Sequence, residues 1–223
     1  MTDSVSLDPH RDQAVLAAGE PLGRARAVVI MLHGRNARAE DILTLAEPLA
    51  LPGFAYLAPR AANNSWYPLP YSAPLEGNLL WLTSALARVG ALLAQAGAAG
   101  LPPERCVLLG FSQGASLAVE YAARNARRYG GIACLSGGLI GPPGAPRDDP
   151  GSLAGTSIFI GCSDSDPFIP REHVERSAQH LRELGGDVTE RLYPHMDHSV
   201  NQDEIDFVRK MLESVLEVHA LGG

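Results

Sequence analysis

The sequence predicts an α/β protein in which a mainly parallel central sheet is covered by helices on both faces. Short apolar runs alternate with longer amphipathic stretches along the 223 residues. The chain is 46% hydrophobic and 19% charged, as is typical of globular proteins. Its length is enough for one α/β domain with a substantial core. We therefore expect a single domain over 1–223, with 1–24 as an N-terminal segment.

Hydrophobic patterning places the individual elements. Strands are predicted at 27–32, 54–57, 106–109, 131–135, 157–160 and 188–193. Helices are predicted at 40–49, 78–95, 112–125, 171–184 and 203–218. The last helix has one apolar stripe, typical of core packing, formed by Ile205, Val208, Met211 or Leu212, and Val215. The Gly- and Pro-rich segment 137–156 is interpreted as a long surface loop, because too few elements follow it for a second core.

The stretch from Leu79 to Leu101 is long and apolar enough to span a bilayer. It has Arg88 near its middle, however, and a central Arg costs about 2.5–3.5 kcal/mol on membrane insertion. Its leucine and valine residues recur at helical spacing, which leaves the polar residues elsewhere on the helix. We interpret it as a helix packed against the sheet, and we expect no membrane span.

Charge, cysteine content and the N-terminal residues argue against a nucleic-acid-binding protein and against a secreted, disulfide-linked one. The net charge is −7 and no basic cluster is longer than Arg127-Arg128, which argues against a nucleic-acid partner. Cys106, Cys134 and Cys162 each lie in or beside an apolar run, as expected for reduced core thiols. The first eight residues lack the basic and apolar regions of a signal peptide. These features predict a cytoplasmic protein.

A G-x-S-x-G pentapeptide, Gly110 to Gly114, lies between a strand-like run and a helix-like run. This context is that of the nucleophile elbow of α/β-hydrolases, in which the serine occupies a sharp turn from strand to helix. The two glycines lack Cβ atoms, so strand and helix can pack closely while Ser112 projects its hydroxyl group. The sequence therefore predicts a serine hydrolase with Ser112 as its nucleophile.

A serine nucleophile needs a base, and the base needs an orienting acid. In α/β-hydrolases the three follow in the order Ser, Asp, His, with acid and base just past late strands. Asp164 and Asp166 follow one predicted strand, and His195 and His198 follow the next. The required residue types thus occur where the topology places them.

The developing oxyanion of the substrate also needs hydrogen-bond donors. One donor is the backbone N–H of the residue after the nucleophile, here Gln113. The second comes from the loop after an early strand, here the loop of residues 33–36.

These motifs together resemble the phospholipase/carboxylesterase family, which includes acyl-protein thioesterases and small bacterial carboxylesterases. The resemblance covers the chain from about residue 27 to its end, and Gly-Phe-Ser-Gln-Gly is quite specific to the group. The matching residues are Leu32-His33-Gly34, Gly110-Phe111-Ser112-Gln113-Gly114-Ala115, Leu135-Ser136-Gly137, Asp166-Pro167 with Pro170, and Tyr193 with His198.

The resemblance implies a Ser112–Asp166–His198 triad, with an oxyanion hole formed by the amides of Arg35 and Gln113. Family members hydrolyse carboxylic esters, and some hydrolyse thioesters or lysophospholipids, without a cofactor. Two positions depart from the family pattern, which often has Gly where this chain has Asn36 and His195. Asn tolerates a positive φ better than most residues, so the oxyanion loop is expected to survive the change.

Other residues have alternative interpretations. The spacing of His195 and His198 is also that of zinc ligands, but no further ligand pair completes such a site, so no metal is expected. His33 is interpreted as a hydrogen-bonded structural histidine. The remaining histidines are expected to be exposed: His10, His173, His180 and His219. Aromatic residues on loops near the strand ends are candidates for lining the acyl pocket, although packing explains them as well: Trp66, Tyr67 and Phe168.

The sequence as a whole predicts a serine carboxylesterase that acts on small esters, as a monomer or a homodimer. The segments between Ser112, Asp166 and His198 leave no room for a helical cap domain. An acyl-protein thioesterase or lysophospholipase with the same triad is the main alternative. A dienelactone hydrolase is disfavoured because those enzymes use a cysteine nucleophile. A non-catalytic binding module on this fold is also an alternative, since fold does not guarantee function.

Overall fold

Most strands of the central sheet are continuous apolar runs. The computed structural model describes residues 8–217, and within them the sheet has seven strands in the order β1-β3-β2-β4-β5-β6-β7. The strands are β1 Val15–Gly19, β2 Ala27–Leu32, β3 Phe54–Pro59, β4 Cys106–Phe111, β5 Gly131–Leu135, β6 Ser157–Ser163 and β7 Asp187–Tyr193. Only β1 runs antiparallel to its neighbour. The expected mainly parallel sheet is confirmed.

Five α-helices cover this sheet in the described part of the chain. They are α1 Ala39–Leu43, α2 Leu79–Ala98, α3 Gln113–Arg124, α4 Arg171–Glu183 and α5 Gln202–Glu217. The helix predicted at 40–49 is shorter, because after Leu43 the chain tightens into a 3₁₀ turn, Thr44–Ala46. The end of the helix predicted at 203–218 falls on Val218, which lies outside the described residues.

The two faces of the sheet build two halves of the core, because successive side chains of a strand point to opposite faces. Val28, Ile30 and Leu32 of β2 face the cluster that includes α2, α3 and α4. Val29 and Met31 face the cluster that includes α1 and α5. The helices thus cover both faces, as the sequence predicts.

Helix α2 has the length and composition of a membrane span. Its buried residues nevertheless lie on one side and pack into the core, at Leu82, Ala85, Val89, Leu92 and Ala96. This is the arrangement expected of an amphipathic helix on a sheet.

Two of the histidines expected to be exposed are buried, so the expectation is wrong for them. The ring of His10 lies between two backbone groups: Nε2 is 3.0 Å from the Trp66 carbonyl oxygen, and Nδ1 accepts the Ala62 N–H at 3.1 Å. His173 stacks on Tyr71 with ring centroids 4.2 Å apart, and burial lowers its pKa to about 4. His180 is half-buried, and His219 lies outside the described residues.

The three cysteines are free and buried, as expected for core thiols. The loop at 137–156 is held by ion pairs: the buried Glu120 on α3 pairs with Arg147 at 3.1 Å, and Arg147 also pairs with Asp149 at 2.7 Å. Asp149 also lies 2.8 Å from Nε2 of His180 on α4, so the loop packs on both α3 and α4, and it contributes no further α-helix or β-strand.

The elbow depends on two close backbone approaches. A Cβ on Gly110 would lie 2.2 Å from the Gly114 backbone, and a Cβ on Gly114 would lie 2.0 Å from the Leu32 carbonyl oxygen. No side chain fits at either position unless strand β4, helix α3 and strand β2 separate.

Gly110→Ala should therefore destabilise the fold by about 3 kcal/mol or more, since atoms of the backbone cannot move aside as a side chain can. Gly97→Ala is the matched control, because Gly97 lies in α2 with nothing within 4 Å of its Cβ position. That change should stabilise the protein by about 0.5–1 kcal/mol through helix propensity. Urea unfolding measures the change in the free energy of unfolding for both variants. Equal changes in the same direction would contradict this account.

Candidate active site

Ser112 lies at the turn between β4 and α3, in a backbone conformation that non-glycine residues rarely adopt. Its φ is 54° and its ψ is −118°. Its N–H donates to the Leu135 carbonyl oxygen of the neighbouring strand at 2.9 Å, which holds the turn in place. The hydroxyl group therefore projects beyond the carboxyl ends of the strands, where ligand sites of parallel sheets lie.

A continuous hydrogen-bond chain joins Ser112, His198 and Asp166. His198 Nε2 lies 2.9 Å from Ser112 Oγ, and His198 Nδ1 lies 2.7 Å from Asp166 Oδ2. An ionised carboxylate only accepts hydrogen bonds, so Nδ1 must carry the proton, and Nε2 is left to accept one from the serine hydroxyl. The structure thus brings together the three residues predicted as a triad, in the geometry of a nucleophile, its base and an orienting acid.

The Asp166 carboxylate is held at both of its oxygens. Its side chain is fully buried, and Oδ1 accepts the N–H groups of Phe168 at 2.8 Å and Ile169 at 3.0 Å. The Cys162 thiol lies 3.7 Å from Oδ2, the oxygen that also faces His198. Asp164, in contrast to Asp166, is exposed, and its Oδ1 accepts the His195 N–H at the longer distance of 3.4 Å.

Aromatic rings enclose the imidazole of His198. The Phe111 ring lies 5.0 Å away on one side, and the exposed Phe168 ring meets it edge-on at 5.0 Å. His195 is exposed and has a φ of 55°, the region that glycine adopts most easily. Within residues 8–217 no three His, Cys, Asp or Glu side chains are grouped as metal ligands.

The loop after β2 passes beside the nucleophile. A Cβ on Gly34 would lie 3.4 Å from Ser112 Cβ, an ordinary contact distance. Asn36 has a φ of 61°, and its N–H donates to the Asn64 carbonyl oxygen at 2.8 Å. Asn36 thus occupies the left-handed conformation that Gly would otherwise supply, as its residue type permits.

His33 at the start of this loop has both ring nitrogens engaged. Nδ1 lies 2.8 Å from the Gly34 carbonyl oxygen, and Nε2 accepts the Ala61 N–H at 3.1 Å. One partner only accepts and the other only donates, so the ring is neutral with its proton on Nδ1. Burial lowers the pKa of His33 in agreement with this. The expectation of a structural histidine is confirmed.

A cavity of about 370 Å³ opens at Ser112 and His198. Tyr67 and Ser116 line its buried part, and Phe168 lies at its exposed part. Trp66 does not line it, which corrects the expectation for this residue. The indole ring is fully buried in the core, and its N–H donates to the His33 carbonyl oxygen at 2.9 Å, at the start of the loop after β2.

Sequence reasoning missed several residues that line the cavity. Ser116 follows Ser112 by four positions on α3, so helical spacing alone could have placed it beside the nucleophile. Tyr71 and Pro70 come from an irregular segment with no periodic signal. Their position depends on Asn78, whose Oδ1 accepts the Leu69 N–H at 2.8 Å and whose Nδ2 lies 3.3 Å from the Pro70 carbonyl oxygen.

The mainly parallel sheet, the serine at the elbow, and the aspartate and histidine after β6 and β7 are the arrangement of the α/β-hydrolase class. The sequence profile of the phospholipase/carboxylesterase family matches residues 13–216, and the chain belongs to that family.

A solved structure, the phospholipase/carboxylesterase of Dyadobacter fermentans, is 41% identical, with a TM-score of 0.86 over 90% of this chain and 96% of that one. Among curated relatives, acyl-protein thioesterase 1 of Gibberella zeae is 35% identical over 126 residues, 52% of this chain and 51% of that protein. Carboxylesterase SOBER1 of Arabidopsis thaliana is 24% identical over 212 residues, 86% of this chain and 92% of that protein. The match to the thioesterase thus spans about half of its length.

Glu204 is a buried carboxyl group just after the His198 loop. It forms a capping box at the start of α5: its Oε2 accepts the Asn201 N–H at 2.9 Å, and its own N–H donates to Asn201 Oδ1 at 3.0 Å. Oε1 has no partner among the described residues and lies 2.1 Å from the Cβ position of Gly161. Burial raises the pKa of Glu204 to about 7, against the bond from Asn201, which lowers it.

Because the pKa of Glu204 is higher in the folded state than in the unfolded state, the folded protein binds the proton more tightly. The free energy of unfolding should therefore fall as pH rises from about 4.5 to about 7 and Glu204 loses its proton. Over that range the free energy of unfolding of Glu204→Gln should rise by about 3 kcal/mol relative to that of the wild type, because each unit of pKa shift corresponds to about 1.4 kcal/mol. Urea unfolding at both ends of the range measures the difference. Glu213→Gln, on the exposed side of α5, should show no such change. A pH-independent difference for Glu204→Gln would contradict the raised pKa.

Proposed function

We propose that the protein is a serine carboxylesterase that hydrolyses small carboxylic esters through an acyl-Ser112 intermediate. The observation that carries this proposal is the hydrogen-bond chain from the buried Asp166 through His198 to Ser112, which ends at the cavity. Membership of the phospholipase/carboxylesterase family supports the same chemistry.

In the first half-reaction, His198 Nε2 takes the proton of Ser112 while Oγ attacks the ester carbonyl carbon. Asp166 stabilises the imidazolium that forms and keeps its Nδ1–H aimed at the carboxylate. The imidazolium then gives its proton to the leaving alkoxide oxygen, the ester bond breaks, and the alcohol departs. The acyl group remains on Ser112.

In the second half-reaction, His198 takes a proton from water, and the hydroxide attacks the acyl carbonyl carbon. Returning that proton to Ser112 Oγ breaks the acyl–serine bond and releases the carboxylic acid. The backbone N–H groups of Arg35 and Gln113 stabilise the oxyanion in both halves. Arg35 and Gln113 both line the cavity at Ser112, and within residues 8–217 neither backbone N–H donates to another protein group.

Cavity size favours short acyl groups. About 370 Å³ is at the lower end of the range for small-molecule sites, about 300–1,000 Å³. Tyr67 and Ser116, two buried residues of the cavity lining, carry hydroxyl groups, so the cavity wall is not apolar throughout, which disfavours a long apolar chain. A second candidate, an acyl-protein thioesterase, is supported by the names of the curated relatives and requires a longer acyl slot.

The triad assignment is tested with a fluorophosphonate probe and a short p-nitrophenyl ester. Wild-type protein should be labelled and should hydrolyse the ester, whereas Ser112→Ala should do neither. Asp166→Asn should lower kcat by about 10³–10⁴, because an amide does not hold the imidazole tautomer that the serine needs.

Asp164→Asn is the control for the acid, because Asp164 precedes Asp166 by two positions and is exposed. It should cost less than about tenfold in kcat, since its carboxylate does not contact the imidazole. If Asp164→Asn lowered kcat more than Asp166→Asn does, the assignment of Asp166 as the acid would be wrong. An unlabelled wild-type protein would favour a non-catalytic binding module.

A series of p-nitrophenyl esters from acetyl to palmitoyl distinguishes the esterase from the thioesterase. We expect kcat/KM to peak at a short acyl chain and to fall once the chain exceeds the cavity. Simple saturation is also expected across the solubility limit of a short ester, because no helical layer covers the site within the described residues. A peak at palmitoyl esters, or a sharp rise in rate when droplets form, would contradict the short-acyl proposal.

A further inference from the structure

A surface segment, residues 65–69, contacts both residues whose amides are proposed to bind the oxyanion. We call it the brace segment. It follows β3 and has no regular secondary structure. Two of its residues, Trp66 and Tyr67, are buried, and the segment runs past the side chains of Arg35 and Gln113.

Gln113 binds the brace segment with both ends of its carboxamide. Oε1 accepts the Trp66 N–H at 2.9 Å, and Nε2 donates to the Tyr67 carbonyl oxygen at 2.8 Å. The side chain is nearly inaccessible, with only 6% of the residue exposed. The first residue of helix α3 is therefore tied to the backbone N–H of Trp66 and to the backbone carbonyl oxygen of Tyr67 by two buried hydrogen bonds.

Arg35 binds the same segment from the other side. Its Nη1 donates to the Pro68 carbonyl oxygen at 2.8 Å, and its Nη2 donates to the Leu69 carbonyl oxygen at 2.9 Å. The guanidinium carbon also lies 5.7 Å from the centre of the Tyr67 ring. The fork geometry of the guanidinium group suits this pair of adjacent carbonyl oxygens.

The brace segment is fixed independently of these two side chains. The Trp66 indole N–H binds His33, and the Trp66 carbonyl oxygen is 3.0 Å from His10 Nε2. Asn78 at the start of α2 accepts the Leu69 N–H at 2.8 Å. The segment is therefore a rigid support anchored to three other parts of the fold.

We propose that the brace segment sets the spacing of the two oxyanion donors, and that the side chains of Arg35 and Gln113 are positioning residues. This inference rests on the proposed function. One donor belongs to the loop after β2 and the other to helix α3, so a common support is what keeps both N–H groups aimed at one point. The side chains touch no substrate atom in this role, because they act through the placement of their own backbone amides.

The test compares Arg35→Met and Gln113→Met with the wild type on a short p-nitrophenyl ester. Arg35→Met should lower kcat about tenfold and Gln113→Met about 100-fold, in line with the cost of displaced oxyanion donors. KM should change less than about threefold, since the effect belongs to the transition state. The Ki of a trifluoromethyl ketone, whose adduct with Ser112 places an oxyanion in the same site, should rise by the same factor as kcat falls.

Arg209→Met is the matched control, because the Arg209 guanidinium also donates to two backbone carbonyl oxygens, of Pro48 and Ala50, at 3.0 and 3.3 Å. It should leave kcat and the Ki unchanged. Arg35→Lys should restore little of the lost rate, because an ammonium group retains the charge without the fork. Gln113→Met leaves two buried backbone groups unpaired and is expected to destabilise the fold, so the variant at the exposed Arg35 keeps the test decisive.

An active wild type with an unchanged kcat in Arg35→Met would overturn the inference while the proposed function stands. Full rescue by Arg35→Lys would also overturn it, in favour of a simple electrostatic effect. A wild type that neither hydrolyses the ester nor reacts with the fluorophosphonate probe would overturn the proposed function, and the inference with it.

Discussion

The loop after β2 and the serine at the elbow lie side by side because two glycines remove the atoms that would separate them. The Cβ position of Gly114 lies 2.0 Å from the Leu32 carbonyl oxygen, and that of Gly110 lies 2.2 Å from the Gly114 backbone. Helix α3 therefore starts directly against the end of β2. A side chain at either position would push the helix from the strand and would move the Gln113 amide away from the Arg35 amide.

Asp166 and His198 reach this point through the pairing of parallel strands. Ser163 of β6 is in register with Tyr193 of β7, so the loops that hold Asp166 and His198 leave the sheet next to each other. Between β4 and β6 lies β5, whose Leu135 carbonyl oxygen accepts the Ser112 N–H. Residues 86 positions apart in the chain, Ser112 and His198, thus come within 2.9 Å.

Backbone strain is concentrated around the site and is held there by hydrogen bonds. Asn36, Ser112 and His195 all have φ between 54° and 61°. A left-handed conformation costs about 1–2 kcal/mol for most residues and less for Asn. Each of these N–H groups has an acceptor, namely the Asn64 carbonyl oxygen, the Leu135 carbonyl oxygen and the Asp164 carboxylate. The surrounding structure therefore fixes each turn even where glycine is absent.

The sequence by itself determined the elements whose signal is local. Strands β2 and β5 have the predicted bounds, because a central strand buried on both faces is a continuous apolar run. The positions of serine, aspartate and histidine just after three parallel strands, β4, β6 and β7, likewise predicted which side chains meet, because parallel strands end at one edge of the sheet. The edge strand β1 was missed, since its residues are mostly half-exposed and carry no strong apolar pattern.

Only the tertiary structure decided the roles of side chains whose partners are far away in the chain. Trp66 is buried with its indole N–H bonded to the His33 carbonyl oxygen, and His10 is buried with its ring bonded to the Trp66 backbone, 56 positions away. The choice of Asp166 over Asp164 as the partner of His198 depends on two backbone N–H groups, of Phe168 and Ile169, that hold its carboxylate inside the loop. Burial and hydrogen bonding between distant segments have no periodic signature, so no local pattern in the sequence contains them.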